Sequence, residues 1–279
     1  MRGIFVTGTD RGVGQTTVAG ALSASLVHQG RRVAVCKPVQ TGCPLADPPG
    51  STAVDGLPGE VDAPARAALA RLAQLAGSPP AVYSGRTPPA ALAATDARYL
   101  MQLSGCDAPL DRVNPYRFAA AVEPAAAARV AETAIDIDHI LRSMHRLADE
   151  ADLLVVDGEG GVLTPLTEER RMIDLIAASG LAALVVAPSR PGAVNHCLLT
   201  LEALGRRDLP ICGIVLDRLS ERPSPEEAAN PLLIERFAGE LVRGILPYFT
   251  AAQRGDPDHL AARFRVHVDL EAILASAGL

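Results

Sequence analysis

Residues 3–17 read GIFVTGTDRGVGQTT. The apolar run GIFV enters a turn carrying Gly8, Gly12 and Gly14, and the turn enters a stretch with helical spacing. Glycine tolerates positive φ and lets the backbone approach a ligand closely. A loop between a strand and a helix aims its N–H groups at an anion, and the helix N-terminus adds partial positive charge. Gly12, Val13, Gly14, Gln15, Thr16 and Thr17 are therefore the candidate phosphate-binding residues, with the Thr16 hydroxyl where a magnesium ligand is expected. Two features depart from a standard phosphate loop. The spacing from Gly8 to Gly14 is one residue longer, and Gln15 stands where a lysine ordinarily meets the β- and γ-phosphates. On this motif alone, a plain glycine-rich turn explains the residues as well as a nucleotide loop does.

Working outward, Val18, Leu22 and Leu26 follow helical spacing, Gly30 suits the helix end, and the apolar run RRVAVCKPV follows at 31–39. Strand, turn, helix and strand make a βαβ unit. Four later runs, DLLVVDG, LAALVVAP, ICGIVLD and VRGILPY, are apolar throughout, as strands buried on both faces are. The pattern predicts one α/β domain over residues 1–279 with a P-loop NTPase-like fold, its sheet mostly parallel and helices on both faces.

Nine of the 22 prolines fall between residues 43 and 95, which marks that segment as a Pro-rich insertion in the domain, with one helix-like piece, ARAALARLAQLAG. A second polar loop reads SERPSPEEAAN. The 26 basic and 32 acidic residues give a net charge of −6 with no basic block, which argues against nucleic acid as a partner. Cys36, Cys43, Cys106, Cys197 and Cys212 are odd in number and lack a C-x-x-C pair, the pattern of buried thiols in a reducing compartment. The start MRGIFVTGTD is too polar for a signal peptide and no apolar run reaches membrane-span length, so the expected location is cytoplasmic, with no membrane partner.

The motifs FVTGTDRGVGQT, KPVQTG (37–42), VNPYRF (113–118), VVDGEGGVLTPL (155–166) and VNHCLLTLEAL (194–204) form an ordered series. In that order they resemble the dethiobiotin synthetase family, whose longer glycine spacing matches the one here. The resemblance implies a homodimer that uses ATP and Mg²⁺ to carboxylate 7,8-diaminopelargonate with CO₂ and close a ureido ring. Residue by residue, it implies a catalytic role for Lys37 against phosphate and carbamate oxygens. It places Thr41 near the substrate amine, and Thr16, Asp96 and Asp157 at the metal, with Asp55 as a rival to Asp96. Asp157 and Gly160 would contact the nucleotide, as would Asp217 and Pro247. Leu163 and Thr164 would line the substrate, and Asn195, beside His196 at a helix start, would receive the substrate carboxylate across the dimer.

Several positions depart from the family pattern. Gln15 replaces the loop lysine, Arg11 stands where threonine is common, EPAAAAR begins at Glu123 in an altered segment, and Asp157 and Asp217 replace glutamate and asparagine. Arg11 is a candidate substitute for the missing cation, and Gln15 retains a neutral donor for phosphate. Asp217 accepts hydrogen bonds only, so guanine, adenine and cytosine all offer it a donor, and pairing with Arg218 is the alternative. Besides the ligase, two functions stay open on these residues: a catalytically impaired nucleotide- or anion-binding homologue, and a ParA/MinD-like switch ATPase.

Overall fold

The computed structural model describes residues 1–44, 92–218, 220–222 and 225–279. Strand β1 (Gly3–Gly8) leads through the glycine turn into α1 (Gln15–His28), then β2 (Val33–Cys36) and the short β3 (Val39–Gln40). There follow α2 (Thr95–Ser104), α3 (Leu110–Val113), β4 (Tyr116–Arg117), α4 (Pro124–Val130) and α5 (Ile137–Asp149). The chain then alternates through β5 (Leu153–Gly161), α6 (Met172–Ser179), β6 (Ala182–Pro188), α7 (Ala193–Gly205), β7 (Ile211–Asp217), α8 (Pro225–Ala238) and β8 (Val242–Leu246). It ends in α9 (Ala251–Arg254), α10 (Pro257–His267) and α11 (Leu270–Ser276).

The six apolar runs form one sheet in the order β2-β5-β1-β6-β7-β8, and every pairing in it is parallel. Parallel strands need crossovers, and the crossover helices cover the sheet, which is why the runs could be apolar on both faces. All seven residues of β6 are buried. The chain leaves β1 for the β2 edge, returns to insert β5 between them, and then steps outward on the other side through β6, β7 and β8. The reversal around β1 puts the loops at the carboxyl ends of β1, β5 and β6 around one crevice, where α/β sheets bind ligands. A separate two-stranded parallel patch pairs Val39 with Tyr116 and Gln40 with Arg117, which the sequence pattern did not foreshadow.

Helix α1 is the central packing element. Val18, Leu22 and Leu26 are fully buried, as their spacing predicted, and Gly30 closes the helix at φ +79°. Burying each such side chain contributes about 1.5–3 kcal/mol. The helix also buries its polar side, because α2 and α10 pack against it. Ser23 and Ser25 tolerate that burial by donating their hydroxyls to the carbonyls of Ala19 and Ala21 at 2.8 and 2.7 Å. Among the described residues, no helix is long and apolar enough to cross a membrane.

Most of the proline-rich insertion, including Asp55 and ARAALARLAQLAG, lies outside the described residues. Its two ends are clasped, because the Ala93 N–H donates to the Pro44 carbonyl at 2.8 Å. Joined ends let a shorter connection replace the segment, and loop length adds little closure entropy. Replacing residues 46–90 by a short Gly/Ser linker is therefore expected to leave a cooperatively melting protein, its stability changed by about 1 kcal/mol or less. Loss of the cooperative melt would show that the segment completes the core.

Candidate active site

The crevice is built mainly from carboxyl-end positions. The turn after β1 supplies residues 9–14, Lys37 follows β2 directly, Asp157 and Glu159 project from the second half of β5, and Asp217 ends β7. Sequence reading placed Asp157 at a strand end; β5 instead runs on to Gly161. A cavity of about 360 Å³ is lined by the turn from Arg11 to Thr17, together with Lys37, Thr41, Asp96, Glu159, Gly160 and Arg254.

The turn has the form the glycine pattern demands. Gly12 and Gly14 sit at φ +68° and +89°, where a side chain is strained, and Gly14 is the N-cap of α1. The N–H groups of the first turn of α1 have no partner within the helix and stand at its positive end. Gln15, however, does not serve a phosphate through its side chain. It is buried, and its Nε2 donates to the Val6 carbonyl of β1 at 3.1 Å. The amide fills a slot that exists because residues 8 and 158 are glycines. A Cβ at Gly8 would stand 2.9 Å from its Oε1, and one at Gly158 would stand 3.2 Å from its Nε2. The expected neutral phosphate donor is thus a structural bond that ties the turn to its strand.

Lys37 is the centre of the cluster. A solvated strand-end lysine is ruled out by its exposure of 3%. Its Nζ donates to Asp157 Oδ2 at 3.0 Å and to the Gly158 carbonyl at 2.7 Å, and it lies 3.2 Å from Glu159 and 3.7 Å from Asp96. Burial works against the ammonium, but Asp157, Glu159 and Asp96 outweigh it and hold the pKa well above lysine's usual value. Asp157 is also pulled both ways. Burial raises it, Lys37 opposes, and the outcome is about 6. Its Oδ2 also accepts from the Thr16 hydroxyl at 2.8 Å, while its Oδ1 is buried without a hydrogen-bond partner.

Two residues that shape this cluster were missed by sequence reading. Asn114, inside VNPYRF, donates Nδ2 to the Lys37 carbonyl at 2.6 Å and fixes that backbone. Glu159, inside the quoted GEGG, joins three groups. It accepts from the Thr41 hydroxyl at 3.0 Å and lies 3.3 Å from Arg11, whose Nη2 also donates to Thr41 at 2.8 Å. Spacing gives no hint of either, since both contacts link residues far apart in the chain. Arg11 does face the cavity, but it is already engaged by a carboxylate. Asp96, Asp157 and Thr16 are brought to one place as expected, yet no group of three His, Cys, Asp or Glu side chains among the described residues forms a metal cage.

Asp217 lies against the turn from the other side. It is 1% exposed, and its Oδ2 lies where a Cβ on Gly14 would be, 1.8 Å from that position. Arg218 does not pair with it but lies 3.4 Å from Glu227, and Asp217 Oδ2 has no hydrogen-bond partner. Burial pushes its pKa up to about 7, with Arg254 pulling the other way. A carboxyl whose folded pKa exceeds its unfolded value stabilises the fold below the unfolded pKa, and that contribution is lost as pH rises through the folded value. Asp217→Asn removes the ionisation. It is expected to stabilise the ligand-free protein by roughly 3 kcal/mol at pH 8, with the gain fading at pH 5. Thermal melts at the two pH values check this, and equal gains at both would refute the buried-charge account. Pro247 follows β8 directly and is half-buried beside this region.

A separate depression, lined by Thr9, Asp10, Leu163, Thr164, His196 and Leu199 among others, opens on the other flank of the turn. Leu163 and Leu199 are 51% and 56% exposed there. Thr164 Oγ1 would clash with any side chain at Gly160, which sits at φ +69°. Of the α7 start, His196 reaches this depression, whereas Asn195 is exposed and is not part of its lining.

Residues 2–254 match the family model described as an AAA domain. The chain is 36% identical over 248 residues to the ATP-dependent dethiobiotin synthetase of Anaeromyxobacter dehalogenans (strain 2CP-C), covering 89% of this chain and 91% of that protein. It is 25% identical to the enzyme of the same description from Bacillus subtilis (strain 168), over the full length of both. Among solved structures it is similar to the MinC:MinD cell division protein complex of Aquifex aeolicus, at 15% identity and a TM-score of 0.48, covering 100% of this chain and 95% of that one.

Proposed function

The chain belongs to the dethiobiotin synthetase family, and from that premise we propose that it carboxylates 7,8-diaminopelargonate with CO₂ and ATP and closes the ureido ring of dethiobiotin. It is an ATP-dependent ligase that forms C–N bonds in biotin biosynthesis. The observation that carries the reading is Lys37, an ammonium buried within 4 Å of Asp157, Glu159 and Asp96 at the mouth of a phosphate turn.

The reaction sets three tasks. One substrate amine attacks CO₂ and loses a proton to give a carbamate. A carbamate oxygen then displaces ADP from the γ-phosphorus, and the second amine attacks the carbonyl carbon and expels phosphate. Negative charge grows on carbamate and phosphoryl oxygens in the middle step, and a preorganised cation lowers its cost in a water-poor site. Lys37 meets that need, with Asn114 fixing its backbone and Thr41 and Glu159 flanking it. The amides of residues 12–16 bind phosphate without help from the Gln15 side chain.

The residues also fit a divalent cation. Asp157 Oδ1 is a buried oxygen without a partner, the Thr16 hydroxyl bonds the other oxygen of that carboxylate, and Asp96 shares Lys37 with it. Mg²⁺ takes oxygen ligands and commonly uses one or two carboxylates plus phosphate oxygens and water, which suits a site with no complete protein cage. When bound, such an ion neutralises charge on the β- and γ-phosphate oxygens. Asp217 is the base contact, and Leu163, Thr164 and His196 hold the diamine, with the carboxylate end received by α7 of a second copy. The exposed Leu163 and Leu199 support that homodimer. Five unpaired cysteines, four of them buried, fit a cytoplasmic setting.

One observation favours the impaired-homologue reading: the Gln15 amide is spent on the Val6 carbonyl, while Arg11 is held by Glu159. Incubating the purified protein with diaminopelargonate, bicarbonate, Mg²⁺ and ATP separates the two. Dethiobiotin and ADP in equal amounts support the ligase, and no product at any enzyme concentration overturns it.

A further inference from the structure

With Gln15 buried, position 15 brings no cation to the phosphate turn, and the two cations beside it each share their charge with carboxylates. Lys37 is surrounded by three carboxylates, and Arg11 is bound to Thr41 and Glu159. A third cation reaches the same cavity from a distant part of the chain. Arg254, the last residue of α9, lines it together with residues 11–17.

Three features make Arg254 more than a passing surface arginine. Its Nε is buried and has no hydrogen-bond partner, and among the described residues no carboxylate forms an ion pair with it. A buried guanidinium N–H without an acceptor costs stability unless something fills the place. Its segment is also held firmly. Thr250 and Gln253 form a reciprocal cap on α9, and Phe249 is buried and packs edge-on against His259. Gln102 of α2 donates to the Gly255 carbonyl at 3.2 Å, which pins the turn just after Arg254. Finally, its charge is near enough to lower the proton affinity of Asp217, which abuts Gly14 of the turn, and of Tyr99, which packs against Gly20 of α1.

We propose that Arg254 is a phosphate-binding residue of this cavity, whose guanidinium takes polyphosphate oxygens of a nucleoside di- or triphosphate and supplies the charge that Gln15 does not. The chemistry suits the position. Guanidinium presents forked donors that match phosphate oxygens, is always charged, and makes charge-assisted bonds about twice as strong as neutral ones. An arginine delivered from elsewhere in the same chain is a known solution for holding charge on a transferring phosphoryl group. Placing it on the segment after β8 means that the nucleotide bridges the turn after β1 and the last part of the fold. The proposal rests only on nucleotide binding at this cavity, not on the identity of the second substrate.

Equilibrium titration tests it without turnover. Wild type, Arg254→Gln and Arg254→Lys are titrated calorimetrically with ATP, ADP and adenosine in Mg²⁺ buffer, after melts confirm that each variant is folded. Arg254→Gln is expected to weaken ATP about ten- to a hundredfold, the range for a hydrogen bond to a charged group. ADP should also weaken, and adenosine should stay within about twofold. Arg254→Lys should lie between, because it keeps the charge and loses the fork. An unchanged ATP affinity in Arg254→Gln overturns the proposal. So does an equal loss for adenosine and ATP, which would place Arg254 on the nucleoside. Failure to form dethiobiotin while ATP binding follows the expected pattern would refute the ligase reading and leave Arg254 in place.

Discussion

Replacing Lys37 with alanine is expected to lower the rate of dethiobiotin formation by about 10³-fold or more, in line with loss of a preorganised charge at a phosphoryl-transfer centre. The variant will also be less stable, which a strand-end lysine would not cause. Its ammonium neutralises Asp157 at 3.0 Å and Glu159 at 3.2 Å, both almost wholly buried. Removing one partner of a buried pair costs about 3–5 kcal/mol because the other charge stays behind. The deficit has a pH signature. Asp157 titrates at about 6 with Lys37 present, and higher without it. The unpaired charge is therefore relieved as pH falls, and the melting gap between wild type and variant should narrow from pH 8 to pH 5.5. Lys37→Arg keeps the charge and controls for it. A near-normal kcat in Lys37→Ala would remove Lys37 from the mechanism.

Asp157→Asn is the second large effect. The substitution keeps size and can still accept from Thr16, but removes the charge that the unpartnered Oδ1 offers a cation. Turnover should fall by about 10³-fold, the several kcal/mol expected for losing metal-assisted charge stabilisation, and the Mg²⁺ concentration giving half-maximal rate should rise. On the proposal that Asp157 holds the cation, its carboxylate must be ionised to act, so activity should decline as pH falls through about 6. Asp157→Asn should lack that acid limb. An unchanged Mg²⁺ requirement in the variant would move the metal elsewhere.

The frame was legible because its signals are local. Six apolar runs became six parallel strands, and Val18, Leu22 and Leu26 marked the buried side of α1. Lys37, Thr41, Asp96 and Asp157 were singled out because they sit in recognisable strings, and the fold brings Lys37, Thr41 and Asp96 to one cavity with Asp157 bonded to Lys37. What failed was direction and pairing. Gln15 occupies the expected position and turns the opposite way, because Gly8 and Gly158 leave it a slot that lies 143 residues away along the chain on one side. Glu159 and Asn114 act on residues remote in sequence, and Arg254 comes from a short helix with no motif at all. Nothing periodic records such contacts.

The bond from Gln15 to the Val6 carbonyl has a bearing on how this sequence can change. Restoring lysine at position 15 is not a simple reversal. The longer side chain must either leave the slot, stripping Val6 of a buried partner, or stay in it as a charge among apolar strands, and both are costly. A returning lysine that did reach the cavity would also meet the guanidinium of Arg254 there. Changes at positions 15 and 254 should be strongly epistatic, and the order in which they are made should decide whether each single step is tolerated.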